Sequence, residues 1–524
     1  LLAPVDLLWN GGIGTYVKAA EETNDDVGDR ANDAIRVDGG HLRVRVVGEG
    51  GNLGLSQRGR IEAALAGVRV NTDAIDNSAG VDTSDHEVNI KILLREVVRQ
   101  EDLTLKQRNT LLASMTDEVA AQVLRDNYEQ NVLLGNARAQ QFDMLDVHTR
   151  LIHWLEERGD LDRELEHLPS DIALAERAEA GRGLTSPEFA VLVAYAKLAL
   201  KHDLLPTGLP DDPWFQQTLR RYFPGPIQDG FAEAIATHPL RREIITNAVA
   251  NSLVNRGGIT FVYRAMEETG AGAEQIARAF VIAREVFALP DFVTAVEALD
   301  NVVPASTQTR LYLEFRRLLD RSARWFLANR PVGLDVAGEL DRYAAVVRDW
   351  SPRLADLLVG SEGERLRSSA RRYSEDGVPE SLALATAGLL DAFSLLDCTD
   401  LCASTGESPD EVIPLYFRVS ECFGVDALLH RITSLPRGDR WDALARGALR
   451  DDLYGVLKAL THNVLEATDA GAPPQVRVET WTETNRENLA RARRALAGIE
   501  RLEKPTIAAM SVALRTLRSV VRAG

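Results

Sequence analysis

His41-Leu42-Arg43-Val44-Arg45-Val46-Val47-Gly48-Glu49-Gly50-Gly51-Asn52 is the stretch that decides how the first part of the chain is read. Apolar and basic side chains alternate up to Val47, the period of a strand with one solvated face. The run then breaks into a glycine-rich turn. Working outward, Arg58–Ala66 has helical spacing, and Gly67–Asn71 is a further apolar run that leads to Asp76-Asn77-Ser78-Ala79-Gly80. Upstream, Val5–Trp9 ends in Asn10-Gly11-Gly12-Ile13-Gly14. Strand, glycine-rich turn, helix, strand is the pattern of a parallel α/β sheet. Ligands of such sheets bind outside the carboxyl ends of the strands. The turns Asn10–Gly14, Gly48–Asn52 and Asn77–Ser84 are therefore expected to border one crevice. Glycines let a backbone approach a cofactor closely, and asparagine amides both donate and accept hydrogen bonds.

From about Val88 onward the spacing is helical. Ile90, Leu93, Leu94, Val97 and Val98 follow the i, i+3, i+4 rule. Thr185-Ser186-Pro187-Glu188 predicts a helix start, with a hydroxyl cap, Pro in the first turn and Glu three residues after Thr185. The following Phe189–Leu200 is apolar nearly all round and is expected to be buried. Further helices are predicted over 239–255, 273–287, 306–328 and 336–350. Leu204–Pro213 and Phe223–Gly230 read as punctuation between helices. The last segment, Arg486–Gly524, carries nine Lys or Arg against three Asp or Glu. Leu489, Ala492, Leu496 and Ile499 recur through it at helical spacing, so it reads as an amphipathic helix with a solvated or internally docked basic face.

Composition narrows the function. The formal net charge is −18, a surface that repels phosphate backbones, so nucleic acid is not an expected partner. No run of 18 uncharged apolar residues is present, so no membrane helix is expected. Three cysteines in 524 residues exclude a disulfide scaffold and suit a reducing, cytoplasmic setting. Cys398 and Cys402 form a lone C-x3-C and read as buried small side chains, because structural zinc wants four ligands. His148 and His153, five apart, face away from one another on a helix. No metal site is expected. The chain opens on a strand-like run without a Met, which reads as the interior of a longer protein.

Glu49-Gly50-Gly51-Asn52, a helix, a strand, then Asn77-Ser78-Ala79-Gly80-Val81-x-x-Ser84 together resemble the glutamate dehydrogenases. The longer strings over 48–60, 76–91, 184–197 and 246–271 look closer to the large NAD-specific branch of that family. The resemblance implies an α/β remnant of a Rossmann-like dinucleotide-binding domain, followed by a large, mainly α-helical C-terminal domain. Residues 1–160 would be the end of the catalytic region and residues 161–524 the helical domain. It further implies NAD as cofactor and reversible oxidative deamination of L-glutamate to 2-oxoglutarate and ammonia, in a cytoplasmic homo-oligomer. By the same resemblance Asn52 sits beside the nicotinamide ribose and Asn77 near the nicotinamide end. Gly11, Gly12 and Gly51 pass close to the dinucleotide, and Ser84 holds the side-chain carboxylate of glutamate. The family's catalytic Lys and Asp belong to a substrate domain that precedes Leu1, so no catalytic residue is expected in this chain and the chain alone should be inactive.

Some positions depart from the family pattern. Leu53-Gly54-Leu55-Ser56 stands in place of a Pro-Thr stretch, Ser78-Ala79 in place of Ala-Gly, and Asp85-His86 in place of two aromatics. His86 reads as a hydrogen-bonded structural histidine between two acids. The fingerprint G-x-G-x-x-G and its downstream acid are not present, so NAD rests on the resemblance alone. The competing reading is a helical assembly or regulatory scaffold without catalysis. Ser84 together with Asn52 and Asn77 separates the two, since a scaffold has no use for a carboxylate binder and two amides around one cleft. An amino-acid dehydrogenase for apolar substrates should carry an apolar residue where Ser84 stands.

Overall fold

The computed structural model describes residues 3–330, 333–436 and 440–521, and within the helix Arg486–Glu500 it leaves out the side chains at 488, 491, 495 and 500. The chain divides into two compact units: Leu1–Phe280 with Phe326–Leu334, and Val281–Trp325 with Asp335–Gly524.

Among the described residues of the first unit there are four short strands, β1 (Leu7–Asn10), β2 (Val17–Lys18), β3 (Val37–Asp38) and β4 (Val46–Glu49). β1 pairs with β4 in parallel, with Leu7 opposite Val46 and Asn10 opposite Glu49. β2 pairs with β3, also in parallel. Parallel bridges join Val46 to Arg69 and Val17 to Leu55. All the strand pairing is thus parallel, but the ladders are short and the unit is mostly helical. The alternation over 42–45 does not become a strand. Gly39–His41 is a 3-10 turn, and pairing begins only where Arg45 and Val46 donate their backbone N–H groups to the Asp6 carbonyl. Leu42 and Val44 nevertheless pack on the cluster of Val17, Val47, Leu55, Ala63, Val68 and Val70. The side-chain period follows from burial and survives without the ladder.

Two helices link these strands to the site, α1 (Asn24–Val27) and α2 (Gln57–Leu65). The Ser56 hydroxyl accepts from the Gly59 N–H and starts α2. Gly59 is needed there because an added Cβ would lie 2.8 Å from the Lys18 backbone. Then follow α3 (Asp73–Asp76), α4 (Ser78–Arg99), α5 (Leu105–Ser114) and α6 (Thr116–Ala139). In α4 the buried positions Ile90, Leu93, Leu94 and Val97 form the predicted stripe. Burial of side chains of this size contributes about 1.5–3 kcal/mol each.

The chain continues as α7 (Leu145–Glu157), α8 (Asp171–Glu179) and α9 (Ser186–Leu204). Thr185 and Glu188 form the expected capping box with Pro187 in the first turn. Phe189, Leu192, Val193 and Leu200 are buried, whereas Leu198 is exposed. Helix α9 packs against α2 and α6, and Gln57 donates to the Pro187 carbonyl. Next come α10 (Gln216–Tyr222), α11 (Gly225–Gly230), α12 (Ala232–Ala236) and α13 (Arg241–Gly257). Phe223–Gly230, expected as punctuation, is thus largely a short helix, with Pro226 in its first turn.

The second unit is helical throughout its described residues. Pro409–Phe423 packs against Leu395–Thr405, Arg440–Ala467 and Pro474–Thr484, around the buried Leu396, Tyr416, Leu453 and Trp481. The basic segment, expected as one amphipathic helix, forms two, Arg486–Glu500 and Ile507–Val521, with Leu489, Ala492, Leu496 and Ile499 buried. Arg518 pairs with Asp452, and 522–524 lie outside the described residues. No single helix among the described residues is long and apolar enough to cross a membrane. One bent pair, Glu380–Ala387 with Leu389–Thr405, passes on length and composition. Its Leu395, Leu396 and Leu401 are buried within the unit, and its Asp397 accepts from Trp325 Nε1 at 3.0 Å.

Candidate functional site

Parallel pairing of β1 and β4 brings their carboxyl ends side by side, and the turns that follow lock together. The Gly50 and Gly51 N–H groups donate to the Asn10 carbonyl at 2.8 and 3.0 Å. A Cβ on Gly51 would lie 2.5 Å from the Gly12 oxygen, so only glycine lets these two backbones approach. Gly11 and Gly12 are exposed on the outer side of the first turn.

The second turn is fixed from below by Glu49. Its carboxylate is wholly buried and accepts Arg60 Nε at 2.7 Å, Arg60 Nη2 at 3.0 Å and the Leu55 N–H at 3.0 Å. Arg60 also reaches Asp73 at 3.0 Å. Burial raises the Glu49 carboxyl pKa, and the Arg60 guanidinium works against that rise. Asp73 accepts the Leu53 N–H at 2.8 Å, which holds Leu53 in the left-handed region at φ 56°. That conformation turns the chain immediately after Asn52. The departure at Leu53–Ser56 is accommodated: Leu55 enters the core and Ser56 caps α2.

The expected third turn, Asn77–Ser84, is instead the N-terminal end of helix α4, and this end joins the second turn at two points. Asp76 accepts the Glu49 N–H at 3.0 Å, and Asn77 Nδ2 donates to Asn52 Oδ1 at 3.1 Å. Asn52 is exposed and Asn77 half-buried. The nearby Asn10 Nδ2 is buried without a partner, an orphaned donor facing the turns. The first two turns and the N-terminal end of α4 therefore converge. Asn77 sits at the N-terminus of α4. Ser84 lies on an exposed position of the same helix, seven residues on. Seven residues are nearly two turns, so Ser84 shares the Asn77 face, about 10 Å along the axis. No hydrogen bond among the described residues joins the Ser84 side chain to the turns. Exposed Val81 and Val88 occupy the same stripe.

Sequence reasoning passed over Glu49, Arg60, Asp73 and Asp76 as a set. The only local signal was an acid at a strand end with a base on the next helix. His86 also differs from expectation. It is buried and stacked on Tyr222 with centroids 4.5 Å apart, filling an aromatic's place, yet neither neighbouring acid bonds to it. Of the other candidates, His148 packs edge-on to Phe189, His153 pairs with Asp171 at 2.9 Å, and Cys398 is buried.

Chemically, the site offers a close glycine backbone and the amides of Asn52 and Asn77 at the carboxyl ends of parallel strands, with the buried Glu49 fixing the turn from below. Residues 181–519 match the family model described as glutamate dehydrogenase, C-terminal, and the chain belongs to that family. Residues 1–137 match the bacterial NAD-glutamate dehydrogenase catalytic domain. The chain is 44% identical over 522 residues to the NAD-specific glutamate dehydrogenase of Mycobacterium tuberculosis, covering 100% of this chain and 32% of that protein. It is 45% identical over 522 residues to the protein of the same name from Pseudomonas aeruginosa, with the same coverage. Against that of Halomonas elongata it is 45% identical over 481 residues, covering 92% of this chain and 30% of the relative. The chain thus spans about a third of the length of these relatives.

Proposed function

We propose that this chain forms the cofactor-facing edge and the helical C-terminal domain of an NAD-dependent glutamate dehydrogenase. In the reaction L-glutamate, NAD and water give 2-oxoglutarate, ammonium, NADH and a proton, reversibly. Bound NAD supplies the hydride acceptor. Gly11, Gly12 and Gly51 allow the dinucleotide to lie against the backbone of the first two turns. Asn52 and Asn77 hold its nicotinamide end, each with amide groups free for a second hydrogen bond. The orphaned Asn10 amide is a further donor beneath these turns, fit for a polar ligand. Ser84 donates its hydroxyl to the glutamate side-chain carboxylate and so selects an acidic substrate. The proton-transferring Lys and Asp are assigned to the substrate domain of the full-length protein.

In this reading residues 1–160 complete the Rossmann-like catalytic region, and residues 161–524 serve assembly of a cytoplasmic homo-oligomer. The observation that carries the proposal is the Asn77–Asn52 hydrogen bond, which ties the second turn and the N-terminal end of α4 into one rim. The test is steady-state turnover by the full-length protein. Asn52→Ala and Asn77→Ala are expected to raise KM for NAD about tenfold each, the loss of one hydrogen bond, with KM for glutamate little changed. Unchanged NAD dependence in both variants would overturn this placement.

A further inference from the structure

On the side of α4 turned away from Ser84, Asp82 and His86 stand one helical turn apart, and α6 brings Asp126 against them. One ligand atom from each of the three lies within 4.8 Å of the other two. His86 is 4% exposed. Its Nε2 faces Asp82 Oδ1 at 3.8 Å, beyond a hydrogen bond, and its Nδ1 is buried with no partner. Asp82 Oδ2 is also buried and unpartnered. A buried imidazole nitrogen left without a partner is costly, and the Tyr222 ring holds the imidazole in place by stacking.

The surrounding cations compensate the three groups only in part, with Lys197 and His86 drawing Asp126 down against burial. Glu129 on α6 is taken by Arg125 and Arg256, at 2.8 and 2.5 Å. Lys197 on α9 sends its Nζ to Gln130 at 3.4 Å, and burial pulls its pKa down to about 8. Burial, then the charges of Asp82 and Glu129, push the Asp126 carboxyl up to about 6. Burial likewise raises Asp82 and lowers His86.

We propose that Asp82, His86 and Asp126 bind a divalent transition-metal cation of the zinc or manganese kind. One imidazole nitrogen with two carboxylate oxygens suits these ions, whereas magnesium prefers oxygen ligands alone. A zinc ion about 2.0–2.2 Å from each ligand holds the ligand atoms roughly 3.3 Å apart, a closure that side-chain rotation supplies. A fourth position is left for water. The ion braces α4 against α6 from behind, on the helix that carries Asn77 and Ser84.

The test is equilibrium binding of Zn²⁺ and of Mn²⁺ to chelator-treated full-length protein, with thermal melting in parallel. The expected result is one ion bound per chain and a raised melting temperature. Asp82→Asn, Asp126→Asn and His86→Gln should each weaken binding tenfold or more, while Asp85→Asn, at an exposed neighbour, keeps it. The two isosteric Asn variants guard against misfolding as the cause. No binding of either ion below about 1 mM, or wild-type affinity in all three ligand variants, would overturn the site and leave a carboxyl pair that shares a proton.

Discussion

Arg60 grips the buried carboxylate of Glu49 with two hydrogen bonds, Nε to Oε2 at 2.7 Å and Nη2 to Oε1 at 3.0 Å. The pair joins the end of β4 to α2 and sets the height of the Gly50–Asn52 turn. Breaking a buried pair from one side costs about 3–5 kcal/mol, because the remaining charge is left without its partner. Arg60→Met should therefore lower the urea midpoint strongly, and Glu49→Gln combined with Arg60→Met should recover part of the loss. A single variant that unfolds like the wild type would show that the pair does not hold the turn.

Asn52 and Asn77 are bonded to each other, so their contributions to cofactor binding should not add. The double variant Asn52→Ala/Asn77→Ala is expected to raise KM for NAD by less than the product of the single effects, a coupling of about 0.5–1 kcal/mol. Strictly multiplicative effects would mean that the two amides act separately.

Much of this rim was legible because its signals are local. A glycine-rich turn after an apolar run, and a Thr185–Glu188 capping box, each declare themselves within a few residues. What was hidden depends on distance. Arg177 closes on Glu188 at 2.7 and 2.8 Å from another helix, and Arg60 reaches Glu49 across a turn and a strand end. Neither partner stands out in its own neighbourhood. The alternation over 42–45 was read correctly as a face and wrongly as a ladder, because burial sets the one and backbone pairing the other. The two-residue strands β2 and β3 are too short to carry a period. His86 was read from its sequence neighbours, but its environment comes from α6 and α10.

Glu362 in the second unit gives a pH signature. It accepts the Ser420 hydroxyl at 2.5 Å, and burial pushes its carboxyl up to about 7, with Asp391 and Asp426 adding to the push. The native pKa lies above that of an unfolded glutamate, so between about pH 4.3 and pH 7 the native state binds more protons. Stability from this group is therefore present at low pH and is lost as pH rises through the window, by about 4 kcal/mol at most. Urea unfolding across that range should show a falling contribution that Glu362→Gln flattens. Equal slopes in wild type and variant would contradict it.

Ser84 carries the claim about substrate. The most direct measurement is turnover by the full-length protein with glutamate, aspartate and leucine, using NAD, in wild type and Ser84→Ala. The expected result is NAD reduction with glutamate, and a KM for glutamate raised about tenfold or more in the variant, with KM for NAD unchanged. A folded protein that reduces NAD with none of these substrates, or a Ser84→Ala variant with wild-type glutamate kinetics, would contradict the account.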